Sequence, residues 1–540
     1  MIIDTTKHIS RYEKIFREIY FKNYLSLRIK FCEWIDDIGF KNNLDWWISI
    51  PASRNANYSN LFHYFCVIES IKEVKKKVKI EKIIVSSNDF ANLIKKNLKL
   101  KVTIIVKTKS VFFLLENFFI IFKNLTFYTI IYLFSKLGLK KKISDKKKLV
   151  LIDTFVSDSD LNKNRYYGKN LISIINKEDN IFFVPTLYMG MGLLKALKII
   201  YFSKKNKNYL LREDYLTFGD IIKSYLLIYR RKNLIKTYAK INKIDFSKFI
   251  KKEINLNDNL ASQILAWQNF FFFKNLKKSE IKLTKIINWF ENQSLDKGWN
   301  YGSRTFYPNA TSYGYQGFTF FPQYMNMIPT QGEYNSKVVP DTILSIEKIY
   351  NKVKKEFCKK IKIKTAPALN HTYLYDKINK KKFKENKNIL IVLGGYLDVD
   401  INLIMWVIKS NIHKKEFKII IQEHPILKFD LLKENIKIIP KEFEVSTKNF
   451  NDSVNNSQFL ICSAATTATI QLIIQGKFCI IPQLNPFDEI TFKRLKMCNN
   501  YKVIANPLKL SKFILKQKTI KYHKKNFFTK LTKKNIKLFL

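Results

Sequence analysis

A chain of 540 residues is longer than one hydrophobic core organises and suits two α/β domains or more, and its 46% hydrophobic and 15% aromatic content excludes wholesale disorder. The formal net charge of +52 arises from 96 Lys and Arg against 44 Asp and Glu. The excess is lysine scattered with asparagine and isoleucine, without an RNP-type motif, zinc knuckle or helix-turn-helix pattern, so no nucleic acid is expected as a partner and attraction to an anionic membrane surface is favoured.

The opening "MIIDTTKHIS" lacks the basic-then-apolar order of a secretory signal, so secretion by that route is not expected. Residues 1–44 read as a helical segment. "DWWISI" (45–50) reads as a strand, 57–77 as a helix, "EKIIVSS" (81–87) as a strand, with a helix from Asn88 and a strand "KVTIIV" (101–106) after it. All-apolar strands alternating with helices imply a parallel sheet covered on both faces.

The stretch 109–142 raises the membrane question. Its apolar run is broken by Glu116-Asn117 and Lys123-Asn124, which with Lys109-Ser110 recur every seven residues and share one helical stripe. A spanning helix needs about 20 mostly apolar residues, and each charge at its centre costs about 2.5 to 3.5 kcal/mol; spanning is therefore not expected. Two readings remain: a helix lying in the cytoplasmic leaflet, with Lys136, Lys140, Lys141, Lys142, Lys146, Lys147 and Lys148 trailing it, or a buried core helix.

Strands at 148–155 and 180–188 flank a helix near 168–177, and 191–280 reads as mainly helical. The Gly-, Asn- and aromatic-rich 285–320 reads as functional loops on a scaffold. Residues 356–387 read as a linker, and a second α/β unit occupies 388–510, with strands at 417–425, 435–440, 459–462 and 501–506, followed by a Lys-rich helical tail over 511–540. The fold class is thus α/β, two Rossmann-like domains (45–355 and 388–510) facing a central cleft, with extra helices in the first. No GxGxxG is present, so a dinucleotide is not indicated.

Ligands of open α/β sheets bind beyond the carboxyl ends of strands, where helix N-termini present unpaired N–H groups. Three stretches of the second unit occupy such ends: Gly394-Gly395, Glu423-His424-Pro425, and Ser463 to Thr467. Ser463, Thr466 and Thr467 offer hydroxyls at a strand-to-helix turn, His424 an imidazole able to donate to a phosphate, and the glycines a close backbone approach. The six cysteines (Cys32, Cys66, Cys358, Cys462, Cys479, Cys498) show no CxxC pair; Cys462 and Cys479, in apolar strand-like runs, read as small buried hydrophobes, and a reducing cytosol and no structural zinc are expected.

"EHP", the Ser/Thr-rich turn and the helix ending "QGKFCIIP" resemble the C-terminal half of GT-B glycosyltransferases that build bacterial surface polysaccharides such as O-antigen and capsule. The resemblance is to the His-Pro-motif group of polysialyltransferases, capsule Kdo transferases and surface-carbohydrate biosynthesis proteins. It implies that His424-Pro425 and Ser463, Thr466 and Thr467 bind the nucleotide of a CMP-sugar. The stretch "FENQSLDKGWNYGSR…YGYQGF" (290–318) likewise looks like the inner edge of the N-terminal domain in surface-carbohydrate proteins.

Sugar transfer needs a base for the acceptor hydroxyl and groups that stabilise the departing phosphate. Glu291 is the first candidate base and Asp296 the second, while Arg304, Tyr315 and Gln316 are acceptor-side candidates. "DVD" (398–400) reads as a helix opening, so no metal is expected and no cofactor beyond the nucleotide-sugar substrate. The expectation is a cytoplasmic glycosyltransferase peripheral at the inner face of the plasma membrane, moving a sugar to a growing surface polysaccharide or lipid-linked glycan. Two alternatives stay open: a teichoic-acid-like polyol-phosphate transferase using a CDP-alcohol, and a non-enzymatic basic protein binding membrane or nucleic acid.

Overall fold

Alternating apolar runs and helices build three parallel sheets in a computed structural model, which describes the chain except for residues 8, 40–42, 101, 105–112, 139–147, 157–165, 176, 235–238, 376–386, 426, 437, 465, 486–487, 489–499 and 517–526. The first sheet is small. Strands β1 (Ile2–Asp4), β2 (Lys82–Val85) and β3 (Val102–Ile104) pair in that order, all parallel. The first residues are therefore a strand, not part of a wholly helical 1–44; the helix Lys14–Ile38 comes after it.

The expected strand at 45–50 is instead two short helices, Leu44–Trp47 and Ile50–Ser53. Asn43 caps the first by accepting from Trp46 N, and Pro51 sits in the first turn of the second. Every residue from Leu44 to Ser53 is buried, and a fully buried apolar run carries no periodicity by which to tell strand from helix.

The central sheet uses β4 (Lys148–Phe155) and β5 (Ile181–Thr186). After a two-stranded hairpin of β6 (Lys240–Ile241) and β7 (Ile244–Asp245), it continues with β8 (Lys282–Trp289), β9 (Thr311–Gln316), β10 (Thr342–Ser345) and β11 (Lys362–Thr365). The order is β11-β10-β9-β8-β4-β5, all parallel. Two expectations change here. Residues 285–320 are not a loop cluster but β8, the helix Ser294–Phe306 and β9. The glycines misled because they serve close packing: a Cβ on Gly298 would collide with Ala266 O, and one on Gly302 would lie 2.9 Å from Phe270 Cα, both on the helix Leu260–Lys278. The N-terminal unit also extends through β11, into what was read as linker; residues 376–386 of that linker lie outside the described residues.

The third sheet consists of β12 (Asn388–Val392), β13 (Lys418–Gln422), β14 (Phe443–Val445), β15 (Phe459–Cys462), β16 (Cys479–Pro482) and β17 (Tyr501–Ile504). Its order β14-β13-β12-β15-β16-β17, parallel throughout, is the doubly wound pattern whose crevice opens where the winding reverses, between β12 and β15. The strand expected at 435–440 is displaced to β14. Both Rossmann-like units are thus present, and the largest buried cluster runs across them, from Ile152 and Trp289 through Leu369 and Leu374 to Val392, Cys462 and Ile473.

The tail differs from the expected helical extension. A helix spans Lys509–Lys516, but Phe527, Phe528 and Phe539 are buried in the cluster shared by both units. Thr529 N donates to Ile346 O, and Thr529 O accepts from Ala368 N. The chain's last residues are therefore part of the N-terminal unit. The apolar stretch forms the helix Phe113–Lys136, and its segment Phe118–Lys136 is long and apolar enough to cross a membrane.

Candidate functional site

The parallel register sets Val392 beside both Gln422 and Cys462, so β12, β13 and β15 end at one level. The residues that follow each strand consequently meet: Gly394-Gly395, Glu423-His424 and Ser463. A Cβ on Gly394 would lie 2.7 Å from Ser463 Oγ, and one on Gly395 would lie 2.7 Å from His424 Cγ and Cε1. Gly395 has φ +83°, a conformation that side chains disfavour, so both its torsion and its neighbour require glycine.

Asp400 holds this turn. In the first turn of the helix Leu397–Lys409, its Oδ1 accepts from Gly394 N at 2.7 Å and its Oδ2 from Gly395 N at 2.8 Å. The glycine N–H groups therefore face Asp400, and the space their missing Cβ atoms leave is taken by Ser463 and His424, which the glycines let approach the turn. Burial pushes the Asp400 carboxyl up to about 6, against the hydrogen bonds that favour its charged form. Asp400 was legible as a helix-opening residue in "DVD"; its hold on the glycines depends on a turn that one sequence does not reveal.

His424 is half-buried in a tight turn closed by Leu427 N donating to His424 O, with Pro425 inside it. Burial lowers its pKa, which keeps the imidazole neutral near pH 7, with one N–H donor. Glu423 anchors the turn: Oε1 accepts from Phe429 N at 2.8 Å and Oε2 pairs with Lys428 at 3.2 Å. Thr466 caps the helix Thr467–Ile474 by accepting from Ala468 N, Thr469 Oγ1 donates to Ser463 O at 2.6 Å, and Thr467 is half-buried at the helix start. The arrangement places an imidazole, a serine hydroxyl and a helix N-terminus around one turn, which is what an anionic phosphate requires.

The acceptor-side candidates separate. Glu291 lies just beyond β8, half-buried, with Oε1 accepting from Trp289 Nε1 at 2.8 Å and Oε2 from Gln293 Nε2 at 2.6 Å. Asp296 does not stand in a cleft: it is 1% exposed, its Oδ2 accepts from Glu291 N and Gln293 N, and burial raises its pKa well above the usual range. Its observed role is the N-terminal cap of Ser294–Phe306. Arg304 pairs with Asp341 at 2.8 Å and donates to Val339 O. Tyr315 is buried, donating to Pro367 O and accepting from Leu369 N, and buried Gln316 donates to Met327 O. Tyr315 and Gln316 thus bind the interior of the N-terminal unit, while Arg304 stays half-buried in an ion pair at its surface.

A buried charge network that the sequence reading missed explains the conspicuous 290–298 stretch. Glu333 accepts from Arg54 with both oxygens at 3.1 and 3.0 Å, pairs with Lys297 at 2.9 Å and accepts from Asn292 Nδ2. Lys297 also donates to Trp47 O and Ala52 O. Burial pushes the Glu333 carboxyl up, but the two cations outweigh it and hold it at about 2. The network ties three separate stretches together, 47–54, 292–297 and Glu333, and partners 279 positions apart leave no local signal.

Tyr324 of the N-terminal unit and Tyr396, beside Gly395, have ring centroids 6.5 Å apart. The two units thus approach each other at the proposed ligand turn. Among the described residues, no group of three or more His, Cys, Asp or Glu is placed to hold a metal ion.

No family model and no curated protein matches the sequence. Among solved structures, MurG of Acinetobacter baumannii aligns at 11% identity over 68% of this chain and 90% of its own, with a TM-score of 0.37. MnaA of S. aureus, solved with UDP, aligns at 10% identity over 69% and 89%, with a TM-score of 0.37. The glycosyltransferase SnogD from Streptomyces nogalater aligns at 6% identity over 67% and 87%, with a TM-score of 0.34. At these scores the likeness is one of general chain path, and the two Rossmann-like units rest on this chain's own strand orders.

Proposed function

We propose that the protein is a metal-independent GT-B-type glycosyltransferase that binds a nucleotide-sugar, with a CMP-sugar first in line, at the carboxyl ends of β12, β13 and β15, and transfers the sugar to a growing surface glycan or its lipid-linked precursor. The observation that carries this reading is the meeting of Gly395, His424 and Ser463 at the reversal point of the second sheet. Resemblance of "EHP" and the Ser/Thr turn to the His-Pro-motif transferases supports the donor class.

In this reading the helix N-terminus at Thr467 and the His424 N–H take up negative charge on the leaving phosphate, and Glu291 deprotonates the acceptor hydroxyl. Asp400 positions the glycine turn, with both carboxylate oxygens already engaged. The test is incubation of purified protein with CMP-, UDP- and GDP-sugars and a CDP-alcohol, in the presence of EDTA, with identification of both products. Release of free nucleotide with transfer of a sugar is expected. Transfer of a polyol phosphate from the CDP-alcohol would replace the donor class, and no turnover of any donor, with no saturable nucleotide binding, would overturn the reading.

A further inference from the structure

The helix Phe113–Lys136 is apolar on its exposed face as well as on its buried one. Asn124, predicted for the polar stripe, is 1% exposed; its backbone O accepts from Tyr225 Oη, and Phe127, Tyr128, Ile131 and Ser135 face inward with it. Phe118, Phe119 and Phe122 are instead 63%, 65% and 56% exposed. Neighbouring helices continue the apolar surface. Phe134 lines a groove of about 500 Å³ with Leu194, Leu197, Tyr201 and Phe202 of the helix Leu193–Lys205, and Tyr132 meets Phe218 of the helix Phe218–Tyr225 at 6.1 Å. Leu194 is 78% exposed. A patch of this kind marks a contact with something apolar.

From this patch we infer that the three helices form a membrane-docking face that seats the N-terminal unit on a bilayer of anionic lipid. The inference rests on this surface alone and is independent of the transferase reading. Charge chooses the occupant. Lys198 lines the groove, Lys205 Nζ lies 4.2 Å above the Tyr201 ring, and Lys123 is exposed among the phenylalanines. Lysines laid along aromatic bodies match a surface that meets acyl chains and phosphate headgroups together. Cores of protein interfaces are depleted in lysine, which disfavours a second copy of the chain. The helix lies on the bilayer rather than crossing it, because its end is tied to the body: Lys136 Nζ donates to Glu213 O at 2.8 Å and Leu216 O at 2.9 Å.

The test is co-sedimentation of the full chain with vesicles of phosphatidylcholine alone or mixed with phosphatidylglycerol, at low and high salt. The wild type is expected to pellet with the anionic vesicles and to be released by salt. The variant F118S/F119S/F122S keeps every charge, so its loss from the pellet separates a docking face from attraction by the net positive charge. Lys198→Gln and Lys205→Gln should each weaken binding about fivefold. Equal sedimentation of F118S/F119S/F122S and wild type would overturn the inference, as would no binding by a folded wild type, or a wild-type dimer in light scattering that this variant abolishes.

Discussion

Gly395→Ala is the most informative perturbation, because the structure assigns it two separable costs. At φ +83° an L-residue pays roughly 1–2 kcal/mol whatever surrounds it. The new Cβ would also stand 2.7 Å from His424 Cγ and Cε1, inside any carbon–carbon contact distance, so the imidazole must turn away. A charge-assisted hydrogen bond between His424 and a phosphate is worth about 1.5–3 kcal/mol, or roughly 10- to 140-fold in affinity. Nucleotide affinity measured by calorimetry should therefore fall by about that factor in both Gly395→Ala and His424→Ala. The double variant should bind no more weakly than the weaker single one, because each removes the same interaction. In urea melts, Gly395→Ala should cost more stability in the wild-type background than beside His424→Ala, where the clash is gone. Additive losses in affinity, or an unchanged affinity in Gly395→Ala, would show that the glycine does not act through His424.

Other expectations follow from the buried charges and the tail. Glu333→Gln leaves Arg54 and Lys297 buried without their shared counter-charge, which should cost about 3–5 kcal/mol in denaturant unfolding; a loss under 1 kcal/mol would contradict the network's role. Burial raises Asp36, Asp153 and Asp400 to about 6 and Glu253, Glu347 and Asp488 to about 7. A carboxyl raised on folding stabilises fully below its unfolded pKa of about 4, and that contribution is lost as pH rises through 6 to 7. His63 and His371, lowered to about 4 by burial, work against this below about 6.5, but the six carboxyls outnumber them. Thermal midpoints at constant ionic strength should thus be higher near pH 5 than near pH 8, and the reverse order would contradict the assignment. Phe539→Ala, which empties a site packed against Tyr315 at 5.1 Å and Tyr167 at 6.3 Å, should cost about 3–5 kcal/mol.

The doubly wound C-terminal unit was readable because each of its longer strands is an apolar run ending at a turn residue, and strand register brings the three stretches read at those ends side by side. What escaped reading was non-local. Whether Leu44–Ser53 was strand or helix depended on its burial, and Gly298 and Gly302 looked like turn residues until the helix Leu260–Lys278 lay against them. Asp296, Tyr315 and Gln316 had the right residue types for chemistry, yet their partners, from Glu291 and Gln293 to Pro367 and Met327, hold them inside the unit. The tail was misread because its lysines outnumber the three phenylalanines that bury it. Asn124 shows the same limit on the apolar helix, where a polar side chain faces inward and donates to Ile120 O one turn back, within the helix itself.

The most direct measurement of the central claim is calorimetric titration of the wild type and His424→Ala with CMP, CDP, UDP and GDP at pH 6 and pH 8. The account predicts saturable binding of one nucleotide, strongest for CMP, weakened in His424→Ala, and tighter at the lower pH. A phosphate beside His424 raises the imidazole pKa above its lowered value in the free protein, so binding takes up a proton. Equal affinity in the wild type and a folded His424→Ala, with no dependence on pH, would place the nucleotide elsewhere and contradict the site.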